Sequence, residues 1–244
     1  MSLALDISQS HTTPSYAAVR ALDMRTVARA PNAAMPDDSL AALQAIGMQA
    51  RFARNETIFS DGDEAAYAYK VVSGTVRLCK LMSDGRRQIA EFVLPGDFFG
   101  FDWLGTYSLT AEALSEVTVI RYARTRLDRL RDEQRDVQRR LMTFLSRDLW
   151  AAQNHLVMLG RQNAKERVAS FLLALAERKG ARDGDTLDIP MGRQDIADYL
   201  GLTIETVCRA IGELKRARIV AVSNRAQVKI RSLESLRDIA TGDA

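Results

Sequence analysis

Five side chains near the C-terminal end of the chain have the chemistry to read DNA bases. They are Thr203, Ile204, Glu205, Cys208 and Arg209. An arginine can donate two hydrogen bonds to guanine O6 and N7, a glutamate can accept from the amino group of cytosine, and isoleucine can contact a thymine methyl group. Glu205 and Arg209 are four residues apart. On a helix, the glutamate is therefore also expected to hold the arginine in its binding rotamer.

The surrounding sequence predicts a helix-turn-helix that presents these side chains. Residues Arg193–Leu200 form a short amphipathic pattern, and Gly201 follows at the position where a left-handed backbone costs least. Leu202 is expected to fill the turn, and Thr203 to cap a second helix that runs to about Ala217. The apolar side chains of that helix recur at helical spacing on its other side, at Val207, Ile211 and Leu214.

A basic ribbon follows the second helix. Residues 209–231 contain seven basic side chains and one acidic one, Glu213. The β-prone runs RIVAV and AQVKI flank the turn SNR, which predicts a two-stranded wing with Arg225 at or beside its tip, placed to contact phosphate. We therefore predict that residues 161–244 form a winged helix-turn-helix that binds double-stranded DNA. The alternative is a structural helical hairpin whose charges are only solvated.

Residues 37–123 are predicted to form an antiparallel β-roll preceded by a short helix. Glycines at positions 62, 74, 85 and 96 mark turns at spacings of 12, 11 and 11 residues. The runs between them, such as TVRLCKLM and QIAEFVL, are rich in β-prone residues, which indicates a sandwich or barrel. The segment PDDS predicts a helix start, and that helix ends near Ile46. Residues 1–36 show no sustained period and are predicted to be a loose N-terminal arm.

Residues 124–160 switch to a helical period and are predicted to form a dimerisation helix. Its apolar residues form one stripe, at Val137, Leu141, Phe144, Leu145, Leu149, Ala152, Leu156 and Leu159. A helix of about 24 residues spans roughly 36 Å, which is longer than a small β-roll can cover. We therefore predict that part of the stripe packs against a second subunit in coiled-coil fashion. The alternative is packing wholly on the chain's own β domain.

The inventory of metal-binding side chains disfavours several kinds of sensor and enzyme. Two cysteines, Cys79 and Cys208, cannot supply the four thiolates of a typical iron–sulfur cluster. The two histidines, His11 and His155, lie outside the β region 50–122, which disfavours a metal-dependent cupin enzyme. His155 falls on the predicted dimerisation helix, where an interface role is expected rather than haem ligation. No apolar run approaches the roughly 18 residues of a membrane span, and no secretory signal is evident. We expect a cytoplasmic protein without cofactor or membrane contact, and not an enzyme.

The run DIADYLGLTIETVCRAIGELK resembles the CRP/FNR family of bacterial transcription regulators, and among them the FixK branch. The resemblance covers about residues 38–240. It implies an α+β fold with an N-terminal antiparallel β-roll of the cyclic-nucleotide-binding type, a long dimerisation helix and a C-terminal winged helix-turn-helix. It also implies a homodimer that binds a palindromic site, recruits RNA polymerase and acts mainly as an activator. The resemblance also implies that Glu205 and Arg209 read bases. It places Ile204 at the position that helps to distinguish FNR/FixK-type sites, with TTGAT-like half-sites, from CRP-type sites. Because the FixK branch works downstream of oxygen signalling, a role in oxygen limitation is expected.

Two departures from the family pattern indicate that this chain works without a ligand. In cyclic-nucleotide-binding members, a glutamate after the GDxxG turn holds the ribose and an Arg-Ser pair holds the phosphate. Here these positions fall on Phe101 and near Leu109-Thr110. A buried phosphate without its arginine costs on the order of several kcal/mol. We expect aromatic side chains to fill the pocket, namely Phe98, Phe99, Phe101 and Trp103. The N-terminal arm also lacks the cysteine group of FNR-type oxygen sensors. The alternative is a cyclic-nucleotide-gated activator with an altered pocket.

Cys208 stands where FNR-like proteins usually have serine, and it is a possible redox site. A thiol beside the cation of Arg209 oxidises more readily, and a sulfinate there would repel DNA phosphates. The alternative is an inert, semi-buried helix residue. A nucleoid-type binder without sequence preference is a further alternative for the whole protein, and the outward placement of Glu205 disfavours it.

Overall fold

The computed structural model describes residues 37–102, 104–224 and 226–242. The predicted N-terminal arm at 1–36, the pocket residue Trp103 and the wing residue Arg225 lie outside the described residues. Within them, the chain combines a β-roll, a long helix and a C-terminal helical domain with its own small sheet. This arrangement confirms the predicted α+β fold class.

The β-roll consists of eight antiparallel strands in two facing sheets. The strands are β1 (Gly47–Phe52), β2 (Thr57–Phe59), β3 (Tyr67–Ser73), β4 (Val76–Leu81), β5 (Arg87–Val93), β6 (Phe98–Phe99), β7 (Thr110–Ala113) and β8 (Val117–Ala123). The first sheet has the order β1-β8-β3-β6, and the second has the order β2-β7-β4-β5. The glycines at 62, 74, 85 and 96 all have φ between 84° and 93°, as expected for the turns that join these strands.

The space between the two sheets is filled by aromatic and small aliphatic side chains. The ring centroids of Phe59 and Tyr107 lie 3.6 Å apart, and those of Tyr69 and Phe99 lie 5.0 Å apart. Valines and alanines from both sheets surround these rings. Side chains alternate along a strand, so each sheet contributes one face to this core and keeps its other face for a neighbouring layer.

Three helices cover the outer face of the first sheet. They are α1 (Asp37–Ile46), α2 (Arg124–Glu133) and the first turns of α3 (Arg135–Arg161). Gln134 has an extended backbone and separates α2 from α3, so residues 124–160 contain two helices where one was predicted. All five residues from 132 to 136 are polar, and apolar periodicity therefore gives no signal of this break. No helix in the described part of the chain has the length and apolar content needed to cross a bilayer.

The C-terminal domain packs on the outer face of the second sheet. Its elements are α4 (Ala164–Arg178), β9 (Thr186–Asp188), α5 (Arg193–Leu200), α6 (Ile204–Arg216), β10 (Val220–Asn224), β11 (Gln227–Ile230) and α7 (Leu233–Thr241). The three strands form a sheet in the order β10-β11-β9. Cys79, Ile89 and Phe92 of the β-roll belong to the same buried cluster as Leu172 and Ile196 of this domain. The molecule thus has four layers: helices, first sheet, second sheet and C-terminal domain.

Candidate nucleic-acid interface

The turn between α5 and α6 is set by Gly201. This residue ends α5 with φ +61°, and a Cβ atom there would lie 3.4 Å from Cδ2 of Leu159. The left-handed backbone favours glycine, and a Cβ atom at this distance would be in ordinary contact with Leu159. The amide of Leu202 donates to the carbonyl oxygen of Ala197 at 3.0 Å, which closes the last turn of α5. Leu202 is partly buried against the domain core, so the turn is fixed from both sides.

The orientation of α6 is fixed by its N-cap and its buried side. Thr203 precedes the helix, and its Oγ1 accepts a hydrogen bond from the amide of Thr206 at 3.3 Å. Val207, Ile211 and Leu214 are buried in the domain core, as the apolar spacing predicts. Because these three side chains set the rotation of the helix, the residues on its other side must face solvent.

The exposed side of α6 brings together the predicted base-reading residues. Ile204, Glu205, Cys208 and Arg209 are all exposed there, within the first two turns of the helix. We call these four side chains the reading face. Thr203, the N-cap residue of α6, lies next to them in the sequence and is exposed as well. This surface offers an acceptor, a cationic donor and an apolar group, which is the set of groups that base edges can distinguish.

Glu205 has a different partner from the one predicted. Its carboxylate accepts hydrogen bonds from its own backbone amide and from the Thr203 side chain, and both lower the pKa of Glu205. No ion pair joins Glu205 to Arg209 among the described residues, so the expected Glu205–Arg209 contact is wrong for this structure. The N-terminal turn of α6 offers backbone donors to a nearby acid. A solvent-exposed pair with a long arginine would gain little over these bonds.

Arg193 adjoins the reading face and was missed by the sequence analysis. It is the first residue of α5, and burial lowers the pKa of its guanidinium while the nearby Cys208 raises it. Its Nη1 atom is buried and has no hydrogen-bond partner in the described part of the chain. Arg193 therefore places a second cation beside Cys208, next to Arg209. A basic residue at the start of the first helix was the available signal.

The wing is the hairpin of β10 and β11. The amide of Ala226 donates to Oδ1 of Asn224 at 2.8 Å, and Nδ2 of Asn224 donates to Oε1 of Gln227 at 3.0 Å. An asparagine that binds the backbone two residues later is typical of tight turns. Lys229 is exposed on β11, and so are two basic residues at the end of α6, Lys215 and Arg216.

The aromatic residues around the GDxxG turn lie on two faces of the first sheet. Phe99 is buried between the two sheets of the β-roll, as predicted for a filled pocket. Phe98 lies on the outer face instead, with its ring centroid 4.7 Å from Phe144 of α3 and 6.0 Å from Phe101. The expectation that all of them fill one pocket is therefore wrong for Phe98 and Phe101. Neighbouring residues of a strand point to opposite faces, and β6 consists of Phe98 and Phe99.

Helix α3 has an apolar edge that the other described residues leave exposed. Met142, Leu149 and Leu156 recur every seven residues and expose 60%, 61% and 68% of their surface. A second series lies three residues further along, at Leu145, Ala152 and Leu159. We call these six residues the α3 seam, because their spacing is that of coiled-coil a and d positions. The predicted stripe is therefore divided: Val137, Leu141 and Phe144 pack on the chain's own β-roll.

Arg167 joins the C-terminal end of α3 to the C-terminal domain formed by α4 to α7, which we call the reading domain. This α4 side chain donates to the carbonyl oxygens of Leu159 at 2.8 Å, Gln162 at 2.9 Å and Leu200 at 2.9 Å. It thus satisfies carbonyl groups at the ends of both α3 and α5, which the helices themselves leave unpaired.

His155 of α3 lies at the same junction. Its ring meets the ring of Tyr199 edge-on, with centroids 4.2 Å apart. Tyr199 belongs to α5 of the same chain, so His155 has a contact within one subunit, and its role between subunits stays a prediction. The α3 seam runs along the helix without it.

Known proteins with this arrangement have been found by sequence and by structure. Residues 49–134 match the family model described as a cyclic nucleotide-binding domain, and residues 166–239 match a Crp-like helix-turn-helix domain. The chain is 45% identical over 179 residues to the nitrogen fixation regulation protein FixK of Bradyrhizobium diazoefficiens, which covers 72% of this chain and 76% of the relative. It is 42% identical over 231 residues to the FixK protein of Azorhizobium caulinodans, covering 93% and 91%. The solved structure of FixK2 from Bradyrhizobium japonicum superposes with a TM-score of 0.76 at 38% identity, over 80% of this chain and 97% of that chain.

Proposed function

We propose that this chain, which belongs to the CRP/FNR family of transcription regulators, is a FixK-type regulator that binds DNA sequence-specifically. The observation that carries this proposal is the reading face. Ile204, Glu205 and Arg209 are exposed on one side of α6, whose other side is buried in the domain core. A helix fixed in this way can enter the major groove with the same side chains each time.

Three side chains of the reading face, Ile204, Glu205 and Arg209, have proposed partners on a TTGAT-like half-site. The pKa of Glu205 is lowered, so its carboxylate is ionised at neutral pH and can only accept hydrogen bonds, as a cytosine amino group requires. Arg209 donates to guanine, and Ile204 contacts a thymine methyl group. Arg225 and the exposed Lys229 contact phosphate from the wing, which fixes register without reading sequence.

The α3 seam supports a homodimer. Two copies that pair along this seam cover Met142, Leu149 and Leu156, which the described residues of a single chain leave exposed. A two-fold dimer then presents two reading faces to a palindromic site whose half-site centres are about 34 Å apart. The dimer recruits RNA polymerase and acts mainly as an activator, as the family resemblance implies.

Regulation without a cyclic nucleotide or an iron–sulfur cluster is the second part of the proposal. Phe101, at the position of the ribose-binding glutamate, packs with Phe98 on the α3 side of the sheet. Thr110, near the position of the phosphate-binding pair, accepts a hydrogen bond from the amide of Asp61. The FixK relatives are named for the regulation of nitrogen fixation, which is in keeping with a role in oxygen limitation.

A cyclic-nucleotide-gated activator is the second candidate, favoured by the match of residues 49–134 to the cyclic nucleotide-binding model. Calorimetric titration with cyclic AMP and cyclic GMP separates the two candidates. Measurable heat of binding, together with increased DNA affinity, supports the gated form, and no heat supports the ligand-independent one.

Selection of bound duplexes from a random pool tests the proposed function directly. The purified full chain, with no effector added, should enrich a palindrome of TTGAT-like half-sites. The Arg209→Ala protein serves as the comparison and should enrich the same palindrome with one base position relaxed. Failure of the wild-type protein to enrich any motif contradicts sequence-specific binding, and enrichment only after a cyclic nucleotide is added contradicts ligand independence.

A further inference from the structure

Two arginines of the β-roll bind two aspartates of the first helix of the helix-turn-helix. Nη1 of Arg77 lies 2.7 Å from Oδ1 of Asp195, and Nη2 of Arg87 lies 3.0 Å from the same oxygen. Nη2 of Arg87 also lies 2.7 Å from Oδ2 of Asp198. Nε of Arg77 donates to Glu112 of the β-roll at 2.8 Å. We call these five residues the docking network. It joins positions more than 100 residues apart in the sequence.

The docking network is shielded from solvent. Its side chains expose between 12% and 24% of their surface, so salt screens their attraction less than it screens a surface pair. Arginine can hold two carboxylates at once because its donors form a planar fork. Oδ2 of Asp195 in addition accepts the amide of Gly192 at 3.0 Å, at the start of α5. The same carboxylate therefore begins this helix and attaches it to the β-roll.

Other contacts between the two domains follow the same helix. Nε2 of Gln88 donates to the carbonyl oxygen of Tyr199 at 3.3 Å, and the rings of Phe92 and Tyr199 lie 5.2 Å apart. Arg178 of α4 forms an ion pair with Asp97 in the turn before β6. Helix α5 is thus held by the β-roll at three of its residues, two aspartates and a tyrosine, within two turns.

The docked arrangement leaves the reading face open. α5 meets the β-roll through Asp195 and Asp198, whereas Ile204, Glu205 and Arg209 of α6 are exposed. Docking therefore does not compete with DNA for these side chains. It does restrict how the helix-turn-helix can rotate relative to α3 and hence to a second copy.

We propose that Arg77 and Arg87 are positioning residues for DNA reading: they hold α5, and through it α6, at the orientation that two half-sites one helical turn apart require. A freely rotating reading domain would lose orientational freedom when the second half-site binds, and docking removes that cost in advance. The docking network thus fixes an orientation of the helix-turn-helix that, without it, the binding of an effector would have to fix. This inference rests on the proposed function and adds a role for residues that contact no DNA.

The test compares a full palindrome with a duplex that contains a single half-site. Binding to one half-site depends on the reading face alone, whereas binding to the palindrome also depends on the placement of both reading faces. In the full-length chain, Arg77→Met and Arg87→Met should each lower palindrome affinity about tenfold and leave half-site affinity nearly unchanged. The exchanged pair Arg87→Asp with Asp198→Arg should recover part of the loss.

Arg86→Met is the matched control. Arg86 is the neighbour of Arg87, but its side chain is 80% exposed, and its ion pair within the described part of the chain is a local one, with Asp84 at 2.7 Å. The ratio of palindrome to half-site affinity should not change in this variant. Asp198→Asn removes one charge without changing shape, and it replaces the arginine variants if their thermal unfolding shows that they are not folded.

Two results would overturn the inference. One is an unchanged affinity ratio in Arg77→Met, Arg87→Met and Asp198→Asn, and the other is an equal loss on both duplexes. A wild-type protein that prefers neither duplex over unrelated DNA would instead refute the proposed function itself, and the inference with it. The wild-type measurement alone distinguishes that case.

Discussion

Replacing Leu156 by serine should strongly weaken the proposed homodimer. Leu156 lies on the α3 seam, seven residues after Leu149, and exposes 68% of its surface in the single chain. It contributes little to the folding of its own chain, because most of it is already in water. A second copy packed along the seam is the partner that would cover it, so its removal acts on association rather than on folding.

The structure sets the size of the effect. Full burial of a leucine side chain contributes about 1.5–3 kcal/mol, and roughly two thirds of Leu156 is still available for burial, which gives about 1–2 kcal/mol per copy. Each dimer contains two copies, so the loss is about 2–4 kcal/mol. At about 1.4 kcal/mol per factor of ten, the dimer dissociation constant should rise about 30- to 700-fold.

Sedimentation equilibrium over a range of protein concentrations measures this constant, and palindrome binding should weaken in parallel. Leu81→Ser is the matched control, because Leu81 exposes 67% of its surface but belongs to β4 and not to α3. The far-ultraviolet circular dichroism of both variants should resemble that of the wild type, whereas the thermal unfolding temperature of Leu156→Ser should fall with the loss of the dimer. Equal dissociation constants for Leu156→Ser and Leu81→Ser, or a monomeric wild type, would show that the seam is not the dimer interface.

Three further predictions concern the reading face and the domain junction. Arg209→Ala should cost about 1–3 kcal/mol on the preferred site and relax one base position, whereas Arg225→Ala should weaken all sequences alike and flatten the salt dependence; identical profiles in a panel of duplexes would contradict this division. Burial lowers the pKa of His155, so the unfolded chain binds a proton more readily than the folded one, and stability should fall as pH drops below about 6.5. His155→Gln should flatten that part of the pH profile of thermal unfolding, and unchanged slopes would refute the assignment. Peroxide should lower the DNA affinity of the wild type more than that of Cys208→Ser, and an equal loss in both would end the redox hypothesis.

The helix-turn-helix could be predicted because its determinants are local. Gly201, Thr203 and the spacing of Val207, Ile211 and Leu214 each specify a turn, a cap or a buried side within a few residues, and the structure shows each of them in place. The turns of the β-roll could be predicted for the same reason, since glycines mark them. Local rules also missed two details, the break at Gln134 in a run of polar residues and the hydrogen-bond partner of the Glu205 carboxylate.

The docking network could not be predicted from the sequence. Arg77 and Asp195 are separated by 118 residues, and nothing in the spacing around either residue indicates the other. Each looks like an ordinary charged residue of an exposed surface until the fold brings the second sheet against α5. The contact between Arg193 and Cys208 could not be predicted either, although the two residues are close in sequence. It depends on the angle between α5 and α6, which the sequence pattern of each helix does not specify.

Arg167 connects α3 to the C-terminal domain through carbonyl oxygens of the main chain, at Leu159, Gln162 and Leu200. Every amino acid supplies such an oxygen, so these hydrogen bonds do not require particular side chains at the three acceptor positions. Descendants of one ancestral gene can therefore change the residues that choose a partner copy, or those that choose a promoter, without rebuilding the joint. A chimaera that joins residues 164–242 of this chain to the α3 of a relative would keep Arg167 and the Leu200 carbonyl, and the backbone at the end of the relative's helix would supply the other carbonyl oxygens.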